Sequence, residues 1–170
     1  MQKSKQAEIS LRKFVMGDND KIFQMSREGS MTRFLPDQVY LEIEEATKVL
    51  KSLIGFYDHS INPVQTPYVL GIILKGNELI GHIGLSKIDE GVEIGYAIEE
   101  KYQRRRYAQK AVLQMLRFVE TNTTLREIFG IVDPENGASI KVLEKCGFVE
   151  AGSKAGKIIY KKILLTNTDI

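Results

Sequence analysis

The chain has 170 residues, of which 43% are hydrophobic and 27% charged, and these values predict one soluble globular domain with a full core. A net charge of +2 is too small to indicate, by itself, binding to nucleic acid or to a membrane surface. The single cysteine, Cys146, excludes an intramolecular disulfide. The polar start has no signal-peptide core, and no apolar run approaches the ~20 residues of a membrane helix, so we expect a cytoplasmic protein.

The first third of the chain predicts one strand and two helices. Residues 1–7 are expected to form a loose end, followed by a short strand within residues 9–14. A turn at residues 17–20 supplies N-cap candidates for a helix that continues to about Glu28, and the pair Gly29 and Ser30 is expected to break it. A longer amphipathic helix is predicted from Pro36, because proline is tolerated in a first helical turn.

The middle of the chain predicts an antiparallel meander of three strands. Residues 68–74 are apolar apart from one glycine, and a hairpin turn leads into a return strand over residues 79–88. A second hairpin turn at 89–91 leads into a strand in which apolar residues alternate from Val92 to Ile98.

Three arginines, Arg104, Arg105 and Arg106, follow that strand at the start of an amphipathic helix predicted over residues 105–120. A helix start carries free N–H groups and the positive pole of the helix dipole, so cations are unfavourable there by up to about 1 kcal/mol each. The conflict disappears if an anion such as phosphate binds at this turn. The alternative is a solvated basic helix start without a ligand.

The last third predicts a strand over residues 128–132 and a helix over 137–145, with Asn136 as N-cap. Two further strands, from Phe148 and over residues 158–165, are expected to pair across a turn from residue 152 to 156. The whole order predicts an α/β fold with a mixed sheet, in which parallel strands flank the basic helix and a ligand binds at their carboxyl ends.

Two motifs resemble the GNAT superfamily of N-acetyltransferases, and more narrowly the branch of ribosomal-protein N-terminal (alanine) acetyltransferases. The first is Glu93-Ile-Gly-Tyr-Ala-Ile with the basic turn Gln103-Arg-Arg-Arg-Tyr-Ala108. The second, more specific motif is Asn136-Gly-Ala-Ser139 followed by Gly147-Phe148. The resemblance covers roughly residues 68–160. It implies one N-acetyltransferase domain over residues 1–170, frayed at 1–7 and 166–170, with a mostly antiparallel sheet whose parallel strand pair splays around acetyl-CoA.

The chain departs from the family pattern in the basic turn, where glycine is usual at position 106 and common at position 104. Both positions hold arginine here. We expect Arg106 to be tolerated as a residue of the first helical turn, which does not need a positive φ. Either the arginine side chains point outward and the N–H cradle for the cofactor survives, or the cradle is altered, and we expect a working site.

The resemblance implies transfer of an acetyl group from acetyl-CoA to an amine, which is a protein N-terminus or a small molecule. It assigns Glu93 as general base and Ser139 as the acid for the leaving thiolate, and Leu143 stands where many relatives carry a tyrosine acid. The alternatives are a solvent-facing carboxylate at Glu93 and an ordinary first-turn serine at Ser139. The implied cofactor-binding residues are Tyr96, Ala97, Ile98, Gln103, Arg104, Arg105, Arg106, Tyr107, Ala108, Asn136 and Ser139.

Other chemistries have weaker support in the sequence. Cys146 is expected to be a buried thiol, and His59 and His82 lack metal-ligand spacing, so no metal is predicted. His82 either lines the acceptor cleft or packs within its strand. We expect no nucleic-acid or membrane partner, and a monomer or homodimer. A second hypothesis is a module of the same fold that senses acyl-CoA or binds a partner without turnover.

Overall fold

The computed structural model describes residues 8–165 and shows a seven-stranded sheet flanked by helices. The strand order is β1-β2-β3-β4-β5-β7-β6, and within the described residues the β4–β5 pair alone is parallel. The predicted α/β class with a mixed, mostly antiparallel sheet is confirmed. The strands are β1 (Ile9–Arg12), β2 (Tyr68–Leu74), β3 (Glu78–Ile88), β4 (Gly91–Ile98), β5 (Glu127–Val132), β6 (Val149–Lys154) and β7 (Lys157–Ile163).

The α-helices are α1 (Asn19–Ser26), α2 (Gly29–Phe34), α3 (Ile43–Phe56), α4 (Tyr107–Asn122) and α5 (Gly137–Lys145). The prediction that a long helix starts at Pro36 was wrong, because residues 36–38 form a short 3₁₀ helix and α3 begins later. Gly29 and Ser30 begin α2 instead of ending a helix. Tertiary contact explains this, since the Ser30 N–H donates to Glu100 Oε1 at 2.8 Å. The frayed ends predicted at 1–7 and 166–170 lie outside the described residues.

The sheet opens between its two parallel strands. Their ladder contains one register pair, Glu93 opposite Phe129. Both strands continue past this pair, and their later residues line opposite walls of one cleft. The predicted splayed pair is therefore present, and backbone groups of β4 beyond Glu93 have no partner in β5.

The buried apolar residues form two clusters. The larger contains the inner face of α4, including Val112 and Met115, together with sheet residues such as Ile83. The smaller contains Phe14 and Leu50, with α3 packed against β2. The period-two pattern of β4 places Val92, Ile94 and Ile98 in the larger cluster, so Glu93 and Gly95 face the opposite side.

The end of α5 and the last hairpin show where glycine decides the chain path. Gly147 has φ +85°, and its N–H and that of Phe148 bond back to Glu144 and Leu143, as the predicted helix-ending glycine requires. The predicted 152–156 turn was too long. β6 continues through a bulge at Gly152, and the turn consists of Ala155 and Gly156, both with positive φ.

No helix within residues 8–165 is long and apolar enough to cross a membrane.

Candidate active site

A cleft of about 560 Å³ lies between the diverging ends of β4 and β5. Its walls are completed by α2, the turn before α4, and the first turns of α5. The structure brings most of the predicted cofactor-binding residues together here: Tyr96, Ala97, Ile98, Gln103, Arg104, Arg106, Tyr107, Ala108, Asn136 and Ser139.

The start of α4 presents backbone donors to this cleft. The Lys110 N–H bonds to the Arg106 carbonyl at 3.1 Å, so the N–H groups of Tyr107, Ala108 and Gln109 precede the first α-helical bond. All three of these residues line the cleft, and no side chain caps this helix end. The helix dipole and the open donors therefore favour an anion at this point.

Arg104 and Arg106 both adopt left-handed backbone conformations, with φ of +61° and +60°. The expectation that Arg106 lies inside the first helical turn with a negative φ was wrong, because it is the N-cap and α4 begins at Tyr107. The chain passes from a 3₁₀ turn at 100–102 into α4 within a few residues. Residues in the left-handed conformation turn the chain between these two elements. That conformation costs a residue with a side chain about 1–2 kcal/mol, and glycine would not have this cost.

Arg105 is directed elsewhere. Its guanidinium lies 5.8 Å from the centre of the Tyr102 ring, and it is absent from the cleft lining. Two of the three arginines therefore face the candidate anion site, and the prediction that Arg105 binds the cofactor finds no support in this position.

The charged side chains that line the cleft are mainly cationic, and the sequence motifs pointed to only some of them. Lys141 and Lys145 also line it, one helical turn apart on α5. Among the described lining residues, Asp133 is the sole carboxylate, and it accepts a hydrogen bond from Lys157 at 2.8 Å, which lowers its pKa. The i,i+4 spacing of the two lysines was a readable signal, since it places both on one helix face.

Gln103 fixes the basic turn against its neighbours. Its Nε2 donates to the Ile98 carbonyl at 2.9 Å and lies 3.4 Å from Ser30 Oγ, on α2. α2 also reaches the other wall, because Arg33 pairs with Glu135 at 3.1 Å. No sequence signal indicated that residues 29–35 cover the cleft, since the tertiary contacts that hold α2 are not visible in local periodicity.

At the start of α5, the Asn136 side chain accepts from the Ser139 N–H at 3.2 Å, as an N-cap does. The Ser139 Oγ lies 2.9 Å from the Tyr96 hydroxyl, which also donates to the Ser139 carbonyl at 3.2 Å. Burial raises the pKa of Tyr96, so its phenol stays protonated. Sequence reasoning assigned a role to the Tyr96 backbone and missed this contact between its phenol and α5.

A second cavity, of about 350 Å³, lies on the opposite face of β3 and β4, beneath α1 and α3. Glu93 lines it, rather than the cleft, and is half-buried there. Burial raises the pKa of Glu93, while a hydrogen bond from the Ser86 hydroxyl partly offsets that rise. Glu93 therefore faces a partly open cavity and is only partly accessible to solvent.

Gly95 and Met31 line both cavities, so the two spaces meet at these residues. Gly95 is exposed, and a Cβ built there would meet nothing within 4 Å. The cleft and the space beside Glu93 thus adjoin at Gly95 with no side chain between them, and this junction is called the passage at Gly95 below.

The remaining candidates have clear positions. His82 is half-buried and lines the second cavity, and burial lowers its pKa to about 4, so its imidazole is neutral. Cys146 is buried, as predicted, its thiol donates to the Gln109 carbonyl at 3.7 Å, and burial raises its pKa to about 11. Within residues 8–165, no group of three or more His, Cys, Asp or Glu residues could hold a metal ion.

Comparison with known proteins identifies the fold around this site. A family model described as an acetyltransferase (GNAT) domain matches residues 8–149. An uncharacterised N-acetyltransferase, p20, from Bacillus licheniformis is 25% identical over 147 residues, which are 85% of this chain and 80% of the relative.

Two solved structures share the fold but differ in the acceptor that their descriptions give. A putative ribosomal-protein-serine acetyltransferase from Vibrio cholerae has a TM-score of 0.73 and 18% identity, covering 96% of this chain and 97% of its own. A spermidine N-acetyltransferase from Vibrio cholerae, solved with CoA and spermine, has a TM-score of 0.73 and 19% identity, covering 91% and 95%. These likenesses support the fold and do not single out the ribosomal-protein branch.

Proposed function

Because the chain belongs to the family of GNAT acetyltransferase domains, we propose that it transfers the acetyl group of acetyl-CoA to a primary amine, a protein N-terminus or a small molecule. The observation that carries this proposal is the meeting of two unlike cavities at Gly95. One is a cationic cleft with open helix N–H groups, and the other holds a half-buried carboxylate.

The cleft suits the phosphates and the arm of acetyl-CoA. Three N–H groups at the start of α4, with Arg104 and Arg106, would hold the diphosphate. The pantetheine arm would lie between the diverging strands and hydrogen-bond to the backbone of residues 96–98, as an added strand does. This places the thioester near Gly95, beside the passage to Glu93.

The reaction needs the amine and the thioester held together more than it needs a covalent intermediate. The amine nitrogen attacks the thioester carbonyl carbon, a C–N bond forms, and the C–S bond breaks as CoA leaves as its thiolate. Holding both reactants in one ternary complex removes several kcal/mol of the barrier. Backbone N–H groups of residues 96–98 would stabilise the oxyanion that develops on the carbonyl oxygen.

Glu93 would take the proton that the amine loses, directly or through a water molecule. Its raised pKa makes it a stronger base than an exposed glutamate, and a general base contributes about 10²–10⁴-fold. The carboxylate reaches the second cavity, which is the side from which an amine can approach the thioester through the passage at Gly95.

The leaving thiolate would be protonated at the pair of hydroxyls formed by Tyr96 and Ser139. Leu143 takes no part in this step. Its side chain packs against Gly130 so closely that a Cβ added to that glycine would lie 2.9 Å from it. The Ser139 hydroxyl, 2.9 Å from the Tyr96 hydroxyl, can pass its own proton to the thiolate as it takes one from the phenol, and the phenol regains its proton from solvent in the cleft. This retains the role assigned to Ser139 and adds Tyr96 as its partner.

The first test is calorimetric titration of acetyl-CoA and dephospho-CoA, followed by measurement of CoA thiol release with a panel of primary amines. Micromolar binding that weakens without the 3′-phosphate, and amine-dependent thiol release, are the expected results. Tight binding without release for any amine would instead favour the acyl-CoA-sensing module. Absence of binding would contradict the assignment of the cleft.

The narrower likeness to ribosomal-protein acetyltransferases makes a protein N-terminus one candidate acceptor, and the cytoplasm a suitable location for such a reaction. The charge and the apolar lining of the second cavity, beside Glu93, restrict the chemistry of the acceptor further.

A further inference from the structure

We infer that the acceptor is a small amine with one positive charge and an apolar body, whose nitrogen lies at Glu93 and whose body fills the second cavity. This inference builds on the proposed acetyl transfer and concerns the chemistry of its acceptor. It is carried by the charges, the wall composition and the hydrogen-bonding capacity of that cavity.

The charge in the cavity favours a cation. Its described lining contains two carboxylates, Glu93 and Asp37, and neither lysine nor arginine. His82 lines the same face but is neutral, because its pKa is about 4. An ammonium group entering this space meets a half-buried carboxylate and no repelling charge.

The wall beside Glu93 is apolar. Phe14, Ile22, Leu50, Leu53 and Val69 line it, and all five belong to the smaller apolar cluster. An aliphatic or aromatic body is stabilised by each methylene group that it buries against such a surface. A second ammonium or a hydroxyl placed there loses hydration without a compensating partner.

Two polar side chains of the described wall, Ser26 and Ser86, are committed within the protein. The Ser26 hydroxyl donates to the Phe23 carbonyl at 2.8 Å and accepts from the Tyr40 N–H at 3.3 Å. The Ser86 hydroxyl donates to Glu93. A peptide acceptor needs partners for several amides, and besides the two carboxylates only the side chains of Gln38, Tyr40 and His82 remain in the described wall to supply them.

Asp37 is the feature that most directly opposes the inference. It is exposed on the short 3₁₀ helix at residues 36–38, whereas Glu93 is half-buried. A diamine of suitable length would place its second ammonium at Asp37. We assign Asp37 to attraction of the single cation at the mouth, because most of the described lining of the cavity is apolar.

Three acceptors with one five-carbon chain isolate the end group: pentylamine, aminopentanol and cadaverine. With saturating acetyl-CoA, kcat/KM from thiol release is expected to fall in that order, by about tenfold or more across the series. Phenethylamine should resemble pentylamine, and spermidine and a peptide with an N-terminal alanine should be poor acceptors.

Preference for cadaverine that disappears in Asp37→Asn would overturn the inference in favour of a diamine. Preference for spermidine or the peptide would overturn it while leaving acetyl transfer intact. If no amine releases thiol although acetyl-CoA binds, the proposed function fails and the acceptor class fails with it.

A charge series at Gln38, which lines the cavity next to Asp37, tests the sign of the attraction. Gln38→Lys should raise KM for pentylamine about threefold or more and Gln38→Glu should lower it, with kcat changed little. Glu44→Gln is the matched control, because it changes the net charge by the same amount as Gln38→Lys on an exposed part of α3 outside the cavity. Equal effects of Gln38→Lys and Glu44→Gln, or no effect of either, would contradict a cationic acceptor. Melting temperatures confirm that each variant is folded.

Discussion

The cleft and the second cavity lie on the two sides of β4 and have opposite electrostatic character. The cleft is lined by four cationic side chains and one carboxylate that is already paired. The second cavity has two carboxylates and no lysine or arginine among its described lining residues. A single strand thus separates a site suited to an anion from one suited to a cation, and the strand lacks a side chain at Gly95, where the two spaces meet.

The carboxylate of the second cavity should produce the largest effect. Glu93→Gln is expected to lower kcat by about 10²-fold or more, because the amine loses its proton acceptor. The rate of the unchanged protein should rise with pH through the raised pKa of Glu93, and this acidic limb should be missing in the variant. Stopped thiol-release assays across pH measure both.

The same variant should be more stable. Burial raises the pKa of Glu93, so the folded protein binds this proton more tightly than the unfolded chain. The ionised side chain therefore costs stability once the pH exceeds the unfolded pKa, and Glu93→Gln should raise the melting temperature at neutral pH. A variant that lost both activity and stability would indicate a structural role instead.

Ser86→Ala, which removes the hydroxyl donor to Glu93, should move the acidic limb of the pH–rate profile to higher pH.

Substitution of Gly95, which lines both cavities, should give the next largest effect on activity. Gly95→Val places a branched side chain in the passage, at a position where a Cβ meets nothing within 4 Å. We expect kcat/KM for the amine to fall about 10–100-fold, because a misplacement near 1 Å is enough for such a loss. Acetyl-CoA affinity measured by calorimetry should change less. Gly55→Ala, which also adds a side chain in open space, is the control and should leave activity unchanged.

The arginines of the cleft should produce a smaller effect, on affinity. Arg104→Ala and Arg106→Ala should each weaken acetyl-CoA binding by up to about tenfold, the value of one charge-assisted contact near the surface. Arg105→Ala is the matched control, because Arg105 lies over Tyr102 outside the cleft lining. The affinity of this variant for acetyl-CoA should be unchanged. Equal losses in all three variants would point to a general effect of charge.

Arg106→Gly separates the charge from the backbone. It should lose the same affinity as Arg106→Ala but gain about 1 kcal/mol of stability over it, because glycine accepts the left-handed conformation with φ +60°. Chemical denaturation of the two variants measures this difference. A glycine variant no more stable than the alanine variant would show that the turn relaxes without cost.

The hydroxyl pair should give the smallest effect. A thiol has a pKa of about 8.5, so at ~pH 8 the leaving thiolate can depart with little help from an acid. Tyr96→Phe and Ser139→Ala should therefore lower kcat less than about tenfold at that pH, and more strongly at lower pH. A loss that is independent of pH would assign the pair to positioning of α5.

The sequence contained enough to predict the sheet, α4, α5 and the cleft residues of β4, the basic turn and the start of α5, because these depend on local periodicity, turn chemistry and two motifs. It also contained the i,i+4 spacing of Lys141 and Lys145, which the motif search did not use. The left-handed conformation of Arg106 could not be predicted, since propensity argues against it and only the surrounding fold imposes it. The second cavity was equally hidden, because it is built from α1, α2, α3 and the far face of β4, whose association is tertiary.

Met31, on α2, connects the proposed site of acetyl-CoA to the proposed site of the amine. It is the one buried residue of this six-residue helix, and its side chain forms part of the wall of both cavities. Any shift of Met31 on binding one substrate changes the space available to the other. By thermodynamic reciprocity, whatever factor acetyl-CoA imposes on the affinity for the amine, the amine imposes on the affinity for acetyl-CoA.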